Sequence, residues 1–238
     1  MSRPGARNRA GWALGLMFFV CFLGFTAWSF ASPACRVEPL AAGFARFGDL
    51  EKAGVAKSEL PAIAQAIAGY LKGERLSAQV KVVRHGTAQD AFSQREMDHM
   101  PDVKRLIDVA RFLWRMGLMA LAVIAAVALR AALGRDAAYP KIMGKSLLRE
   151  ALSYLALLAA LVIWAMADFT GLFYRLHEWL FPNDFWQLDP ERHLMIQLMP
   201  EAFFADYALS ALRRLAWLLL VFPLAFLLLR WPNRKAEK

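Results

Sequence analysis

Phe112-Leu-Trp-Arg115-Met-Gly-Leu-Met-Ala-Leu121-Ala-Val-Ile-Ala-Ala-Val-Ala-Leu129-Arg130-Ala-Ala-Leu133 is the stretch that settles the architecture. A helix crosses the hydrocarbon core of a bilayer with about 20 mostly apolar residues, and this run is long enough. Windows at 12–31, 152–173 and 215–229 are of the same kind. The last is short, but the largely apolar run 202–212 ahead of Arg213 lets its helix extend outwards. With 58% of 238 residues apolar and only 21% charged, one soluble core of this length could not bury the excess. The expected fold is mainly α, a four-helix transmembrane bundle with a small extracytoplasmic α+β cap.

The net charge of +9 raises the question of nucleic acid, and the placement of the basic residues answers it. Arg3, Arg7 and Arg9 precede the first span, Arg130, Arg135, Lys141, Lys145 and Arg149 fill the connection between spans two and three, and Arg230, Arg234, Lys235 and Lys238 end the chain. With four spans all three groups fall on one face, the pattern of positive charge held on the cytoplasmic side. No nucleic-acid partner is expected. The expected division is a cytoplasmic N-terminus and first span (1–31), an extracytoplasmic cap (32–111), span two (112–133) and a cytoplasmic loop (134–151). Span three (152–173), a second extracytoplasmic segment (174–214) and span four with a cytoplasmic tail (215–238) follow. This places a multi-pass protein in a membrane, with both termini on the cytoplasmic side.

Arg residues, an apolar run and Ala31-Ser-Pro-Ala34 resemble a signal peptide, but the run is long for one and Pro33 is badly placed for cleavage. Retention as an anchor is expected. Cys35 lacks the aliphatic residue three positions before it that a lipobox carries, and Cys21 lies inside the span. Two such cysteines make neither a metal quartet nor a disulfide framework. Within the cap, Leu60, Ile63, Ala64, Ile67, Ala68 and Leu71 recur at helical spacing over 57–71, with Gly73 placed to end the helix. The alternation over 76–84 reads as a strand. Asp189-Pro190-Glu191 reads as a helix start, and Pro200-Glu201 opens the last helix.

Two polar clusters flank the spans on the outer face. Ser93-Gln-Arg-Glu96-Met-Asp98-His99-Met-Pro101-Asp102-Val-Lys104 leads into the second span, and His177-Glu178-Trp179-Leu-Phe181-Pro-Asn183-Asp184-Phe-Trp186 follows the third. Titratable groups are costly at that depth and mark a functional site. Ser93 with Glu96 has the form of a capping box. Pro101, tolerated in a first helical turn, moves the expected start of the long helix to Asp98–Met100. His99 would then sit at the positive end of the helix dipole, which disfavours imidazolium.

The clusters resemble the lipoprotein intramolecular transacylases of bacterial membranes. The first follows Phe92-Ser93-x-x-Glu96-x-x-His99-Met100-x-Asp102-Val103-Lys104, and the second follows His177-Glu178-x-x-Phe181-Pro182-Asn183-Asp184-x-Trp186-x-x-Asp189-Pro190, continuing through Pro200-Glu201-x-Phe203-Phe204-x-Asp206. Leu176 and Leu180 stand where aromatic residues are expected, and His193 replaces an acid. The segment 35–91 shows no match.

The resemblance implies an enzyme that acts on diacylglyceryl-modified lipoproteins among membrane lipids. It moves an ester-linked acyl chain from the glycerol to the α-amine of the N-terminal cysteine and leaves a lyso-form lipoprotein. Exchange of ester for amide runs downhill, so no cofactor or metal is expected. A histidine can accept the proton of an α-ammonium whose pKa is about 8 and later return it. His99 is the candidate base and acid, with Glu96 or Asp102 orienting its ring. His177 would stabilise the oxyanion or position the glycerol, with Asn183, Asp184 and Asp168 in support. Trp179, Phe181 and Trp186 would line acyl chains, and their plainer reading is an interfacial aromatic belt.

Two other functions compete. A metal or redox protein would use His99 and His177 with Glu96, Asp98 or Glu178, which suits zinc or iron, although no His-Glu-x-x-His spacing is present. A noncatalytic membrane scaffold would tolerate replacement of both histidines. A serine hydrolase is disfavoured, since no Gly-x-Ser-x-Gly elbow surrounds Ser93. Oligomeric state is not legible.

Overall fold

The computed structural model describes the backbone of residues 4–133 and 138–230. The expectations placed on Arg3, Arg135, Arg234, Lys235 and Lys238 lie outside the described residues. Nine helices and one hairpin are described: α1 (Pro4–Ala31), α2 (Val37–Phe47), α3 (Leu50–Ala53), α4 (Leu60–Lys72), β1 (Lys81–Arg84), β2 (Thr87–Asp90), α5 (Gln94–Leu133), α6 (Ala138–Ala167), α7 (Phe169–Leu180), α8 (Leu194–Leu198) and α9 (Glu201–Arg230). The chain is mainly helical with a small two-stranded sheet. Three helical stretches have the length and hydropathy to cross a membrane: Arg9–Cys35, Gln94–Arg130 and Ile142–Ala167. The chain divides into two units, Met1–Ser29, Arg111–Ile163 and Ala211–Lys238 forming one, and Phe30–Ala110 and Trp164–Ser210 the other.

In the first unit Leu14, Phe18, Cys21, Phe22, Ile124 and Tyr154 form the buried core. Small residues bring α1 and α5 together. A Cβ on Gly24 would stand 2.3 Å from the Leu113 carbonyl oxygen. The Cys21 thiol donates to the Gly117 carbonyl at 3.2 Å, and both cysteines are buried outside any disulfide. Such backbone approach is the usual means of holding helices together where lipid removes the hydrophobic drive.

The second unit is built on α2 and α4. Phe44, Leu60, Ile63 and Leu71 are sealed inside with Leu194 and Leu198 of α8. The helix expected over 57–71 is present as one 3-10 turn (Lys57–Glu59) followed by α4, and Gly73 ends it at φ 84, a conformation glycine adopts at little cost. The strand expected over 76–84 is confined to β1. Its partner β2 follows a two-residue turn, His85-Gly86, with φ of 50 and 78. That turn type matches the twist of a hairpin.

Three expectations are corrected. α5 starts at Gln94 and keeps Pro101 inside. The capping box closes first: the Ser93 N–H donates to Glu96 Oε2 at 2.7 Å, and the Glu96 N–H to Ser93 Oγ at 3.4 Å. His99 is thus the sixth residue of the helix, beyond the first turn in which a dipole acts on a charge. Second, the apolar stretch expected as one span to residue 173 is divided at Asp168, whose side chain caps α7 by accepting the Gly171 N–H at 2.7 Å. Third, Asp189-Pro190 opens a turn, with the Asp189 carbonyl accepting from Arg192 and His193. α8 begins only at Leu194. Pro200-Glu201 does open the last helix.

Candidate active site

Both sequence clusters lie in the second unit. α5 positions Glu96, His99 and Asp102, spaced three apart on one helical face. α7 and the segment after it position His177, Phe181, Asn183 and Trp186. The two clusters are joined by specific bonds. Asn183 Nδ2 donates to Asp102 Oδ2 at 2.7 Å, while Asn183 Oδ1 accepts the Phe185 N–H at 3.1 Å and so holds its own turn. Arg95, in the first turn of α5, donates to the carbonyls of Asp184 and Gln187 and pairs with the Asp184 carboxylate at 3.3 Å. Sequence reasoning missed Arg95, although a lone arginine between two named motif positions was visible.

The two imidazoles share an aromatic wall. The Phe181 ring lies 4.9 Å from His99 and 5.4 Å from His177, centroid to centroid. Phe173 at 4.1 Å and Trp186 at 5.1 Å complete the surroundings of His177. This setting disfavours charge. Burial, helped by neighbouring His177, pushes the His99 pKa down to about 4 against a smaller opposing pull from Asp102. Burial also lowers His177, partly opposed by its bond to Phe173. The apolar run of α5 is 112–133, and His99 precedes it in the polar stretch 93–104, while His177 follows the apolar run 152–173.

Tautomers follow from partners. His177 Nδ1 lies 2.7 Å from the Phe173 carbonyl oxygen, which can only accept. Nδ1 therefore carries the proton, and Nε2 holds a free lone pair. His99 Nδ1 is buried with no hydrogen-bond partner, which leaves Nε2 as its reactive edge.

The carboxylates expected to orient His99 do other work. Glu96 is 1% exposed, and both its oxygens are taken by backbone N–H groups, Ser93 at 2.7 Å and Met195 at 2.7 Å. It caps two helices at once, and both of these bonds go to backbone rather than to His99. Asp102 is bound to Asn183 and reaches His99 only through its charge. Asp168 is a helix cap, and Asp184 is held by Arg95. Trp179 is 68% exposed with its ring 6.2 Å from Trp164, and no ring contact joins it to either histidine among the described residues. The ligand set that a metal would need is not assembled. Glu178 pairs with Arg175 at 3.2 Å, Asp98 accepts from Gln94 at 2.7 Å, and among the described residues no three metal-binding side chains converge.

A model of the family described as lipoprotein intramolecular transacylase Lit matches residues 14–204. No curated protein matches the chain. Among solved structures, the membrane-integral lipoprotein intramolecular transacylase Lit of Bacillus cereus is similar in fold, at 19% identity and a TM-score of 0.70, covering 97% of this chain and 99% of that one. Two single-histidine variants of the same protein align with TM-scores of 0.72 and 0.71 at 17% identity, over 96% of this chain in each case. They cover 96% and 97% of those chains. A mainly helical membrane protein, with three stretches long and apolar enough to cross a bilayer, is the class that the fold defines. Within it, the chain belongs to the lipoprotein intramolecular transacylase Lit family.

Proposed function

We propose that this chain transfers an acyl chain from the glycerol of a diacylglyceryl cysteine to the α-amine of the same residue, using His177 and His99 as its two working groups. The observation that carries this reading is the pair of uncharged imidazoles flanking Phe181. The amine nitrogen attacks the ester carbonyl, the bond to the glycerol oxygen breaks, and a proton moves from nitrogen to that oxygen. The products are an amide and a free glycerol hydroxyl. No enzyme nucleophile, oxidant or activated donor enters the balance.

The geometry favours exchanging the two roles expected from sequence. A base with a pKa near 4 is a poor acceptor for a proton leaving an amine of pKa about 8, and His99 is in that position. A neutral ring held by burial is instead a good N–H donor to a developing oxyanion, as neutral imidazole electrophiles are elsewhere. His177, with Nε2 unprotonated and Nδ1 fixed by Phe173, is the better base. Charge on His177 raises the cost of charging His99, which favours one proton on the pair at a time. Asn183 retains one amide hydrogen after bonding Asp102 and supports the oxyanion or the glycerol.

For topology the reading is four spans, with α9 as the fourth, both termini cytoplasmic, and 32–111 with 174–214 forming a cap on the outer face. The basic residues support it: Arg3, Arg7 and Arg9, Arg130, Arg135, Lys141, Lys145 and Arg149, and Arg230, Arg234, Lys235 and Lys238 all fall on the inner face in that arrangement, with Asp136, Glu150 and Glu237 as the acids among them. Diacylglyceryl lipoproteins and the surrounding lipids are the proposed partners.

Mass spectrometry of a reporter lipoprotein's N-terminal peptide tests the reaction. Total acyl carbon should stay constant while one chain moves from glycerol to nitrogen, and His99→Ala and His177→Ala should each abolish the move. An unchanged diacylglyceryl peptide beside properly expressed protein would overturn the assignment.

A further inference from the structure

The β1–β2 hairpin has one covered edge and one open edge. On the β1 side, Val55 pairs with Arg84, and the His85 N–H donates to the Gly54 carbonyl at 2.8 Å. On the β2 side all four residues, Thr87 to Asp90, are exposed. Register fixes which backbone groups point out. The Ala91 N–H donates to the Val80 carbonyl at 2.8 Å, and bonded and non-bonded pairs alternate in an antiparallel ladder. Gln89 and Thr87 therefore bond inward to Val82 and Arg84. The N–H and C=O groups of Ala88 and Asp90 face the open edge.

An open edge is a template for another extended chain. From β2 the chain runs through Ala91, Phe92 and Ser93 straight into α5. Four residues at no more than about 3.6 Å each and five helical residues at about 1.5 Å each bound the distance from Asp90 to His99. An extended peptide covers that distance in about six residues. The family acts on lipoproteins as a class, so whatever holds the polypeptide must read main chain more than side chains. Strand addition does that.

We infer that the open edge of β2 binds the peptide that follows the lipidated cysteine, as an added antiparallel or parallel strand, through the outward amides of Ala88 and Asp90. The inference rests on the transacylase reading above. It assigns the hairpin to substrate binding and leaves the chemistry to the histidines.

The test uses the full-length protein in detergent and synthetic diacylglyceryl lipopeptides of three and ten residues. The ten-residue substrate should show a KM about tenfold lower at equal kcat. N-methylation of alternate amides beyond the fifth residue should remove that advantage on the wild-type protein. Ala88→Pro, which deletes an outward N–H and spares the ladder, should bring the long substrate's KM to that of the short one while short-substrate turnover stays at wild-type level. Equal KM for both lengths, or an advantage that survives N-methylation, overturns the inference. A dimer that Ala88→Pro converts to monomer, with no length dependence, would assign the edge to a second copy and overturn it too. Failure of wild-type protein to turn over either lipopeptide would overturn the transacylase reading and the inference with it.

Discussion

Glu96 Oε1 accepts the backbone N–H of Met195 at 2.7 Å across 99 residues of sequence. The same carboxylate closes the capping box on Ser93, so one buried side chain fixes the start of α5 to the start of α8. Removing it strands two backbone donors, each at about 1–3 kcal/mol. Glu96→Ala should lower the melting temperature in detergent steeply, and activity should fall with it. Glu96→Gln, which turns one acceptor into a donor facing an N–H, should be almost as damaging. A Glu96→Ala protein that melts like wild type yet loses turnover would instead make Glu96 a catalytic group.

The burial of His99 has a thermodynamic signature. Its pKa is about 4 in the folded chain against 6.5 ordinarily, so the unfolded chain binds the extra proton between those values. Stability is then complete above about pH 6.5 and declines as pH falls towards about 4. The size is on the order of 3 kcal/mol. Melting temperature against pH should show that decline, and His99→Phe should flatten it. Because His177 is also lowered, wild-type turnover should hold to pH values below the ordinary histidine range. An acid limb centred at or above pH 6.5 would argue against His177 as the base.

The apolar windows and the two clusters were legible because each is carried by local pattern. Hydropathy marked the three stretches now described as long apolar helices, and Gly73 marked the end of α4. The two roles given to Glu96 and Asp102 were not legible. Spacing placed both beside His99 on one face, but their bonds go to Met195 and Asn183, which only tertiary structure brings near. Pro101 misled for a similar reason: a strong capping box upstream outweighed one missing backbone donor. The hairpin was half seen, since β2 is fully exposed and carries no apolar alternation. Its His85-Gly86 turn was the available signal.

Arg95 ties the second cluster to the first without touching either histidine. Its guanidinium holds two carbonyls and one carboxylate of the 184–187 segment. Arg95→Ala should release that segment and, through Trp186, the surroundings of His177. Partly exposed charge-assisted bonds of this kind are worth about 1–2 kcal/mol together, so turnover should fall about tenfold with a small loss of stability. Arg95→Lys, a point charge without the fork, should recover part of the loss. Limited proteolysis within 184–187 should track the order Ala, Lys, wild type. Equal cleavage in all three would separate Arg95 from the loop.

Two tryptophans of the second cluster make opposite predictions. The Trp186 ring lies 5.1 Å from His177 and 5.7 Å from Tyr174, so it forms part of the apolar wall that keeps the imidazole neutral. Trp179 is 68% exposed and meets Trp164 instead. Trp186→Ala opens the wall to water, and the His177 pKa should rise towards its ordinary value. The acid limb of the pH–rate profile should shift to higher pH, and turnover at neutral pH should fall. Trp179→Ala should leave the profile in place and alter, at most, how the protein partitions between lipid and detergent. If the two variants gave the same profile, the wall around His177 would not set its protonation, and the base would have to be sought elsewhere in the site.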